Sequence, residues 1–449
     1  MRFGTPAFIY SLFIILYSLK VMSASDTIFA LSSGAGKAGV AVIRVSGPDA
    51  QLAAGDGLEP RVATLRNFYN IDNLVAVWFP APKSFTGEDV LELYCHGGQA
   101  VVAAIFDRLR GFGFRMAERG EFARRAFDNG KMDLVEIDSM RALIDARTEK
   151  QRARALSAMT GADSEVYMKW RDDMVRLSAL AAARMDYPSD DLPADIDAQI
   201  AGGIEKLSMA IGAALASPAH KIESGFSVVL AGPVNAGKSS LFNAILGSAR
   251  AIVSDIPGTT RDVVSAELDI GGFLVRLSDT AGLRESEDEI EKIGIGRARD
   301  AMADADVVLQ VCEKISNEQC ATRNGIVVVN KCDLVKHHPA AFGGTPPKEG
   351  NTCIRVSAKT GEGVKELVDL IRARIEKIAA DAEGDLVIGE RARGALSQAV
   401  AELKTAGTAG PDLQAEHIAA AADEIGRILG IIGSDEIYDS VFGQLCLGK

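Results

Sequence analysis

At 449 residues the chain has room for about two to four domains, each with a core of its own. Hydrophobic residues at 47% and charged residues at 24% are the balance of an ordinary soluble globular protein. The net charge of −12 excludes a surface that coats nucleic acid indiscriminately, because phosphate binding needs clustered Lys and Arg, and leaves only local recognition open.

Residues 1–21 stand apart. Phe8 to Leu19 is nearly all apolar, with Arg2 ahead and Lys20 behind, and its twelve residues fall short of the roughly 20 that span a bilayer. The stretch resembles the apolar region of a signal peptide, but Met22 and polar Ser23–Asp26 follow at once. The sequence favours an over-called start, with Met22 as the true first residue of a cytoplasmic protein that has no membrane partner. The six cysteines (Cys95, Cys312, Cys320, Cys332, Cys353, Cys446) are scattered without a CxxC pair or metal-site spacing, and read as reduced thiols.

A first domain over 22–138 mixes strand and helix. Ala38–Val45 and Leu74–Phe79 are strand-like, bounded by Gly and Pro. Ser84 to Gly98 runs from a turn through a strand into two glycines, Gln99 to Leu109 has a helical period, and Gly120–Phe127 leads to a turn at Asn129–Lys131. His96 beside Cys95 has no second His or Cys near it, so a structural role is the better reading than a metal or a nucleophile.

Long helices are expected from Leu134 to about Ala216, with apolar residues three and four apart and interruptions at Tyr187-Pro188 and Leu192-Pro193. Arg141, Arg147, Arg152 and Arg154 are a candidate RNA face. Asp138, Asp145 and Glu149 interleave with them, which favours a solvated helix surface. Residues 225–375 alternate strand and helix as a doubly wound domain does, and the chain turns helical again over 376–449. The expected fold is α/β plus all-α: a phosphate-loop domain at 225–375 inserted into a helical domain (139–224 and 376–449), behind an α+β domain.

Gly232-Pro-Val-Asn-Ala-Gly-Lys-Ser239 fits the phosphate-loop pattern, between apolar Phe226–Ala231 and a helical Ser240–Leu246. Its glycines let successive N–H groups turn toward an anion, Lys238 reaches the outer phosphates, and the Ser239 hydroxyl ligates magnesium. A Gly-rich turn that binds nothing is the plain alternative, which the intact strand–loop–helix frame outweighs.

Three further stretches specify GTP. Asp279-Thr-Ala-Gly282 follows a strand-like run; its carboxylate suits a magnesium water shell and the Gly282 N–H a terminal phosphate. In Asn330-Lys-Cys-Asp333, Asp333 can accept two hydrogen bonds from guanine that adenine cannot give, and Ser357-Ala-Lys359 can back the base. Gly258-Thr-Thr-Arg-Asp262 lies where a switch belongs, with Thr260 completing the magnesium shell. After Gly282 comes Leu283, which cannot orient a water as a Gln does, and the five carboxylates of Glu285–Glu291 read as a solvated loop. Spacing alone leaves the hydrolytic mechanism open.

These stretches, with Arg44-Val-Ser-Gly47, Ser84–Glu92, His96-Gly-Gly98, Asp255–Asp262, Asp279–Arg284 and the Cys446-Leu-Gly-Lys449 ending, resemble the tRNA modification GTPase family MnmE, also called TrmE. The resemblance covers Asp26–Lys449. It implies that the first domain binds a one-carbon tetrahydrofolate (formyl or methylene) and forms a homodimer, with folate contacts at Arg44, Glu92, Lys131 and Lys449. It implies GTP contacts at Asn235, Ala236, Gly237, Lys238, Ser239, Ser240, Ser254, Asp255, Ile256, Pro257, Gly258, Thr259 and Thr260. Further GTP contacts fall on Asp279, Thr280, Ala281, Gly282, Asn330, Lys331, Asp333, Ser357, Ala358 and Lys359.

The family uses potassium where other GTPases use an arginine finger, which implies ligands at Asn235, Ser254, Ile256 and Thr259, beside magnesium on Ser239 and Thr260. Glu291 matches the family's acidic residue, acting on water through another water, and Cys446 matches the cysteine needed for modification but not for hydrolysis. The partner implied is MnmG, an FAD- and NADH-using protein, in a heterotetramer that adds an aminomethyl or carboxymethylaminomethyl group to the wobble uridine of certain tRNAs. Departures are Pro233-Val234 where Arg-Pro is usual, Leu445-Cys-Leu447 where Phe-Cys-Ile is common, and a short Cys312–Gly325. A GTPase switch for ribosomal RNA assembly has no use for the folate motifs or the Cys446 tail. A stand-alone folate-dependent transferase has none for the guanine-nucleotide motifs.

Overall fold

The computed structural model describes residues 26–55, 57–188, 192–252, 265–279, 302–313, 325–334, 352–380, 384–432 and 448. The chain divides into two units, Met1–Ile137 with Gly430–Lys449, and Asp138–Leu429.

In the first unit β1 (Ile28–Leu31) and β2 (Ala38–Ser46) precede α1 (Ala50–Ala54), β3 (Thr64–Phe68), β4 (Asp72–Phe79) and β5 (Val90–Gly97). The chain continues through α2 (Gln99–Gly111), β6 (Arg115–Met116), α3 (Glu121–Asp128) and α4 (Leu134–Asp145). Among the described residues the sheet has six strands in the order β3-β4-β5-β2-β1-β6, antiparallel except for β1 with β6. Period-2 alternation sends Ile43, Val45, Leu91 and Leu93 into a core with Phe29, Ile105 and Leu109, all fully buried. Burying each such side chain contributes about 1.5–3 kcal/mol.

By contact, the described tail residues Gly430 and Gly448 group with the first unit. Gly430 turns at φ 80 so close to Phe127 that a Cβ would meet the ring at 2.6 Å. Gly448 lies on β1, with its carbonyl accepting from Ser32 Oγ at 2.7 Å.

The second unit continues with α5 (Glu149–Met159), α6 (Ala162–Asp186), α7 (Ile196–Ala216), α8 (His220–Ser224), β7 (Phe226–Ala231) and α9 (Lys238–Ser248). β8 (Arg250–Ala251), β9 (Ser265–Ile270), β10 (Phe273–Asp279), β11 (Val307–Cys312), β12 (Gly325–Val329) and β13 (Thr352–Arg355) follow. The chain then closes in three helices, α10 (Val364–Ala380), α11 (Glu390–Ala406) and α12 (Pro411–Leu429).

Helices from both sides of the strand region pack together: α12 on α6 and α11, and α11 on α7. Ser178 Oγ on α6 donates to the Ala415 carbonyl at 2.9 Å, and Arg393 donates to that of Leu215 at 3.0 Å. The strand region is therefore an insertion into a helical bundle, a meeting of halves that composition could not show. Ile196–Ser224 is long and apolar enough to cross a membrane by composition, but its stripe of Ile200, Ile204, Leu207 and Ile211 is buried in the bundle.

The second sheet runs β13-β12-β11-β7-β10-β9-β8. β13, β12, β11, β7 and β10 are parallel neighbours, and β9 and β8 continue antiparallel. Phe226, Val228 and Leu230 on central β7 pack with Leu241, Phe242 and Ile245 of α9 and Leu367, Ile371 and Ile375 of α10. A parallel sheet covered on its faces needs such near-continuous apolar strands.

The arginines considered for RNA each face a carboxylate: Arg141 with Asp145, Arg147 with Glu267, Arg152 with Glu149, and Arg154 with Asp163. His96 pairs with Asp72 at 2.8 Å.

Candidate functional sites

In an open parallel sheet, ligands bind outside the carboxyl ends of the strands where the chain order reverses. β7 is that point, because β10 lies on one side of it and β11 on the other. Gly232 leaves β7 at φ 147, and a Cβ there would stand 2.1 Å from the Val311 carbonyl oxygen, so the loop lies on β11 as only glycine allows. Asn235 (φ 67) and Gly237 (φ 85) complete the curl before α9 begins at Lys238. Lys238 is 8% exposed, and its ammonium donates to the carbonyls of Gly232 (3.1 Å) and Pro233 (3.0 Å). Ser239 Oγ donates to Asp279 Oδ2 at 2.8 Å, joining the helix start to the end of β10.

The residues that the sequence assigned to the base reach the same loop. Asn330 Nδ2, just past β12, donates to Ala236 O at 3.0 Å, and its Oδ1 accepts from the Ala358 N–H at 3.1 Å. Lys331, at φ 64, donates to Asn235 O at 2.8 Å and pairs with Glu313 just past β11. Asp333 accepts from Ser357 Oγ at 2.7 Å, and Ser357 is fully buried. Burial pushes the Cys332 thiol above its ordinary range.

A second polar cluster lies on the first sheet. Arg44 and Glu92 are cross-strand partners of β2 and β5, and their side chains pair at 2.9 Å. Tyr94 OH donates to the other Glu92 oxygen at 2.6 Å; that bond, then burial, pushes the phenol up to about 12. The Arg44 guanidinium also stands 4.7 Å over the Phe85 ring. Lys131 donates to Pro82 O at 3.1 Å, and Asn129 to Thr86 O at 2.8 Å. Beneath the Thr86 turn, Ser46 binds Thr86 and Glu88, and Glu88 pairs with Arg125 at 3.0 Å. Among the described residues no three His, Cys, Asp or Glu side chains group as a metal site.

Residues 27–131 match the family described as GTP-binding protein TrmE N-terminus, and residues 134–446 match the MnmE helical domain. A tRNA modification GTPase MnmE from Rhizobium johnstonii is 40% identical over 95% of this chain and 99% of its own length. The protein of that name from Sinorhizobium medicae is 41% identical over 95% of this chain and 100% of its own. The one from Parvibaculum lavamentivorans is 40% identical over 94% and 100%. The chain belongs to the MnmE family.

Of the MnmE positions read from the sequence, Asn235, Lys238, Ser239, Asp279, Asn330, Lys331, Asp333, Ser357 and Ala358 come together at the strand ends. Arg44 and Glu92 meet in the first sheet. Ser254, Asp255, Ile256, Pro257, Gly258, Thr259, Thr260, Thr280, Ala281, Gly282, Leu283, Glu291, Cys446 and Lys449 lie outside the described residues. Sequence reading missed Tyr94 and Glu313. Tyr94 sits two residues from Glu92 on one strand face, and Glu313 directly follows a parallel strand.

Proposed function

We propose that this MnmE-family GTPase acts with MnmG, an FAD- and NADH-using partner, in a cytoplasmic heterotetramer. The pair adds a carboxymethylaminomethyl or aminomethyl group at C5 of the wobble uridine of certain tRNAs. What carries the nucleotide half of this reading is Asn330, one side chain tying the phosphate loop to the base-side loop. The amides of Asn235–Ser240 and the Lys238 ammonium hold the phosphates of GTP, and Asp333, Ser357, Ala358 and Lys359 hold its base.

A hydroxyl and a carboxylate in contact, Ser239 and Asp279, form a hard-oxygen set that fits magnesium. Thr260 would complete that set, and Thr280, Ala281 and Gly282 would meet the terminal phosphate. The left-handed Asn235 suits a potassium site shared with Ser254, Ile256 and Thr259. Potassium bound there supplies the positive charge that an arginine gives other GTPases in the transition state. Glu291 positions water and Cys446 serves the modification step. Arg44, Lys131 and Lys449 offer cations to a folate's carboxylates or ring carbonyl, with Glu92 orienting Arg44. The nucleotide module spans 225–375, and the first domain forms the homodimer.

Hydrolysis by the purified protein should be much faster in potassium than in sodium, and equal rates would remove the cation role of Asn235. Mass analysis of wobble nucleosides in a strain lacking the protein should show the modification lost. An unchanged profile would end the tRNA half of the reading.

A further inference from the structure

The turn Gly271-Gly272 joins β9 to β10 in two residues, both left-handed (φ 65 and 86), as a tight hairpin requires. A Cβ on Gly271 would come within 2.9 Å of Arg372 on α10, and one on Gly272 within 3.6 Å of Lys150 on α5. The turn is wedged between two helices, and α5 belongs to the helical bundle. Its grip has three parts. The Lys150 N–H donates to the Gly272 carbonyl at 3.1 Å. Arg147, just before α5, pairs with Glu267 of β9, which also faces Arg276 of β10 at 3.6 Å. The Lys150 ammonium stands 5.5 Å over the Phe273 ring.

Helix capping makes this possible. The first N–H groups of a helix have no partner within it. Thr148 caps Gln151, and Gln151 Oε1 accepts in return from the N–H groups of Arg147 and Thr148. The Lys150 amide remains for the hairpin. The same turn of α5 also reaches the lead-in to the phosphate-loop strand: Gln151 Nε2 donates to Glu223 O at 2.7 Å in α8, which precedes β7. In α8, Lys221 pairs with Asp306, whose other oxygen accepts from the Ser227 N–H of β7 at 2.9 Å. One helix end thus touches the turn that feeds β10 and the lead-in to β7. β10 runs parallel to β7 and ends on Asp279, opposite Leu230. From Gly272 to Asp279 a strand reaches about 20 Å and moves nearly as a rod.

We propose that Arg147 and the first turn of α5 are a positioning element for hydrolysis. They set the height of β10 against β7, and so keep Asp279 within reach of Ser239. This rests on the reading of the strand-end site as the place where GTP is hydrolysed. The helical bundle then tunes the nucleotide site, and by linkage a change at the phosphates returns to α5.

Arg147→Glu sets a like charge against Glu267. In the full-length protein kcat for GTP should fall about fivefold to tenfold while KM stays within about twofold. Arg147→Lys should keep nearly full rate, and adding Glu267→Gln to Arg147→Glu should recover most of the loss. Exchange of the Lys150 amide in the wild type should differ between GDP alone and GDP with aluminium fluoride. Wild-type kcat in a folded Arg147→Glu protein overturns the proposal, as does a Lys150 amide blind to the two nucleotide states. Where Arg147→Glu does not fold, the exchange measurement on the wild type decides. A wild type that hydrolyses no GTP fails the functional reading first; a wild type that does, matched by Arg147→Glu, fails this inference alone.

Discussion

In the second sheet every described polar group of the candidate nucleotide site stands at or beyond the end of a parallel strand. In the antiparallel sheet Arg44 and Glu92 stand in mid-strand and face each other across the ladder. Strand ends leave loops whose amides and side chains are free to turn toward a ligand, and glycines mark where they must bend. A mid-strand pair is already satisfied, so a ligand there has to share or replace a partner that the fold itself supplies. The first kind of site is built by backbone shape, the second by side-chain exchange.

Breaking the shape should have the largest effect. Gly232→Ala drives a Cβ into the Val311 carbonyl at a left-handed backbone, which should cost on the order of 3 kcal/mol and abolish GTP binding. A stable variant that still bound GTP in calorimetry would break the comparison at its strongest point. Asp333→Asn keeps the shape and changes one reader of the base. GTP affinity should fall about 100-fold and preference should move to xanthine nucleotides, read by competition binding. Unchanged preference would remove Asp333 from the base site.

On the other sheet effects should be smaller and should appear as stability. Arg44→Ala leaves the Glu92 carboxylate, 13% exposed, with Tyr94 as its remaining partner, which should cost about 1–3 kcal/mol in a denaturant melt. No loss would mean the pair is not what orders this sheet. The smallest effect is alkaline. The Tyr94 phenol is raised from 10.0 to about 12 in the fold, so the folded protein keeps this proton where the unfolded chain has lost it. That contribution is complete below pH 10 and fades as pH rises toward 12. Tyr94→Phe should flatten the stability loss across that window, and an unaltered alkaline slope would show that the bond to Glu92 carries none of it.

The same contrast sets how much was legible in the sequence. Phe226–Ala231, Gly232, Lys238, Asp279 and Asn330 form short local patterns in which each residue type has a physical reason at its place, and the structure brings them together. Arg44 and Glu92 are 48 residues apart and become a pair only through strand register, which periodicity does not give. They were named through family resemblance alone. The pairing of Arg147 with Glu267, 120 residues apart, had no local sign at all, because an isolated Arg among acidic neighbours reads as solvated surface. The placement of Gly430 and Gly448 was equally hidden, since a close approach leaves no mark beyond the glycine itself.

Asn330 has a consequence for fidelity. Its planar amide presses one edge on the Ala236 and Gly237 carbonyls and the other on the Ala358 amide, so the two loops cannot drift apart independently. If the proposed site holds GTP as read above, a purine sitting badly against the far loop would tilt that plate and unsettle the turn at the phosphate loop. Errors in choosing the nucleobase would then surface as slow turnover as well as weak binding, a double filter carried by a single carboxamide.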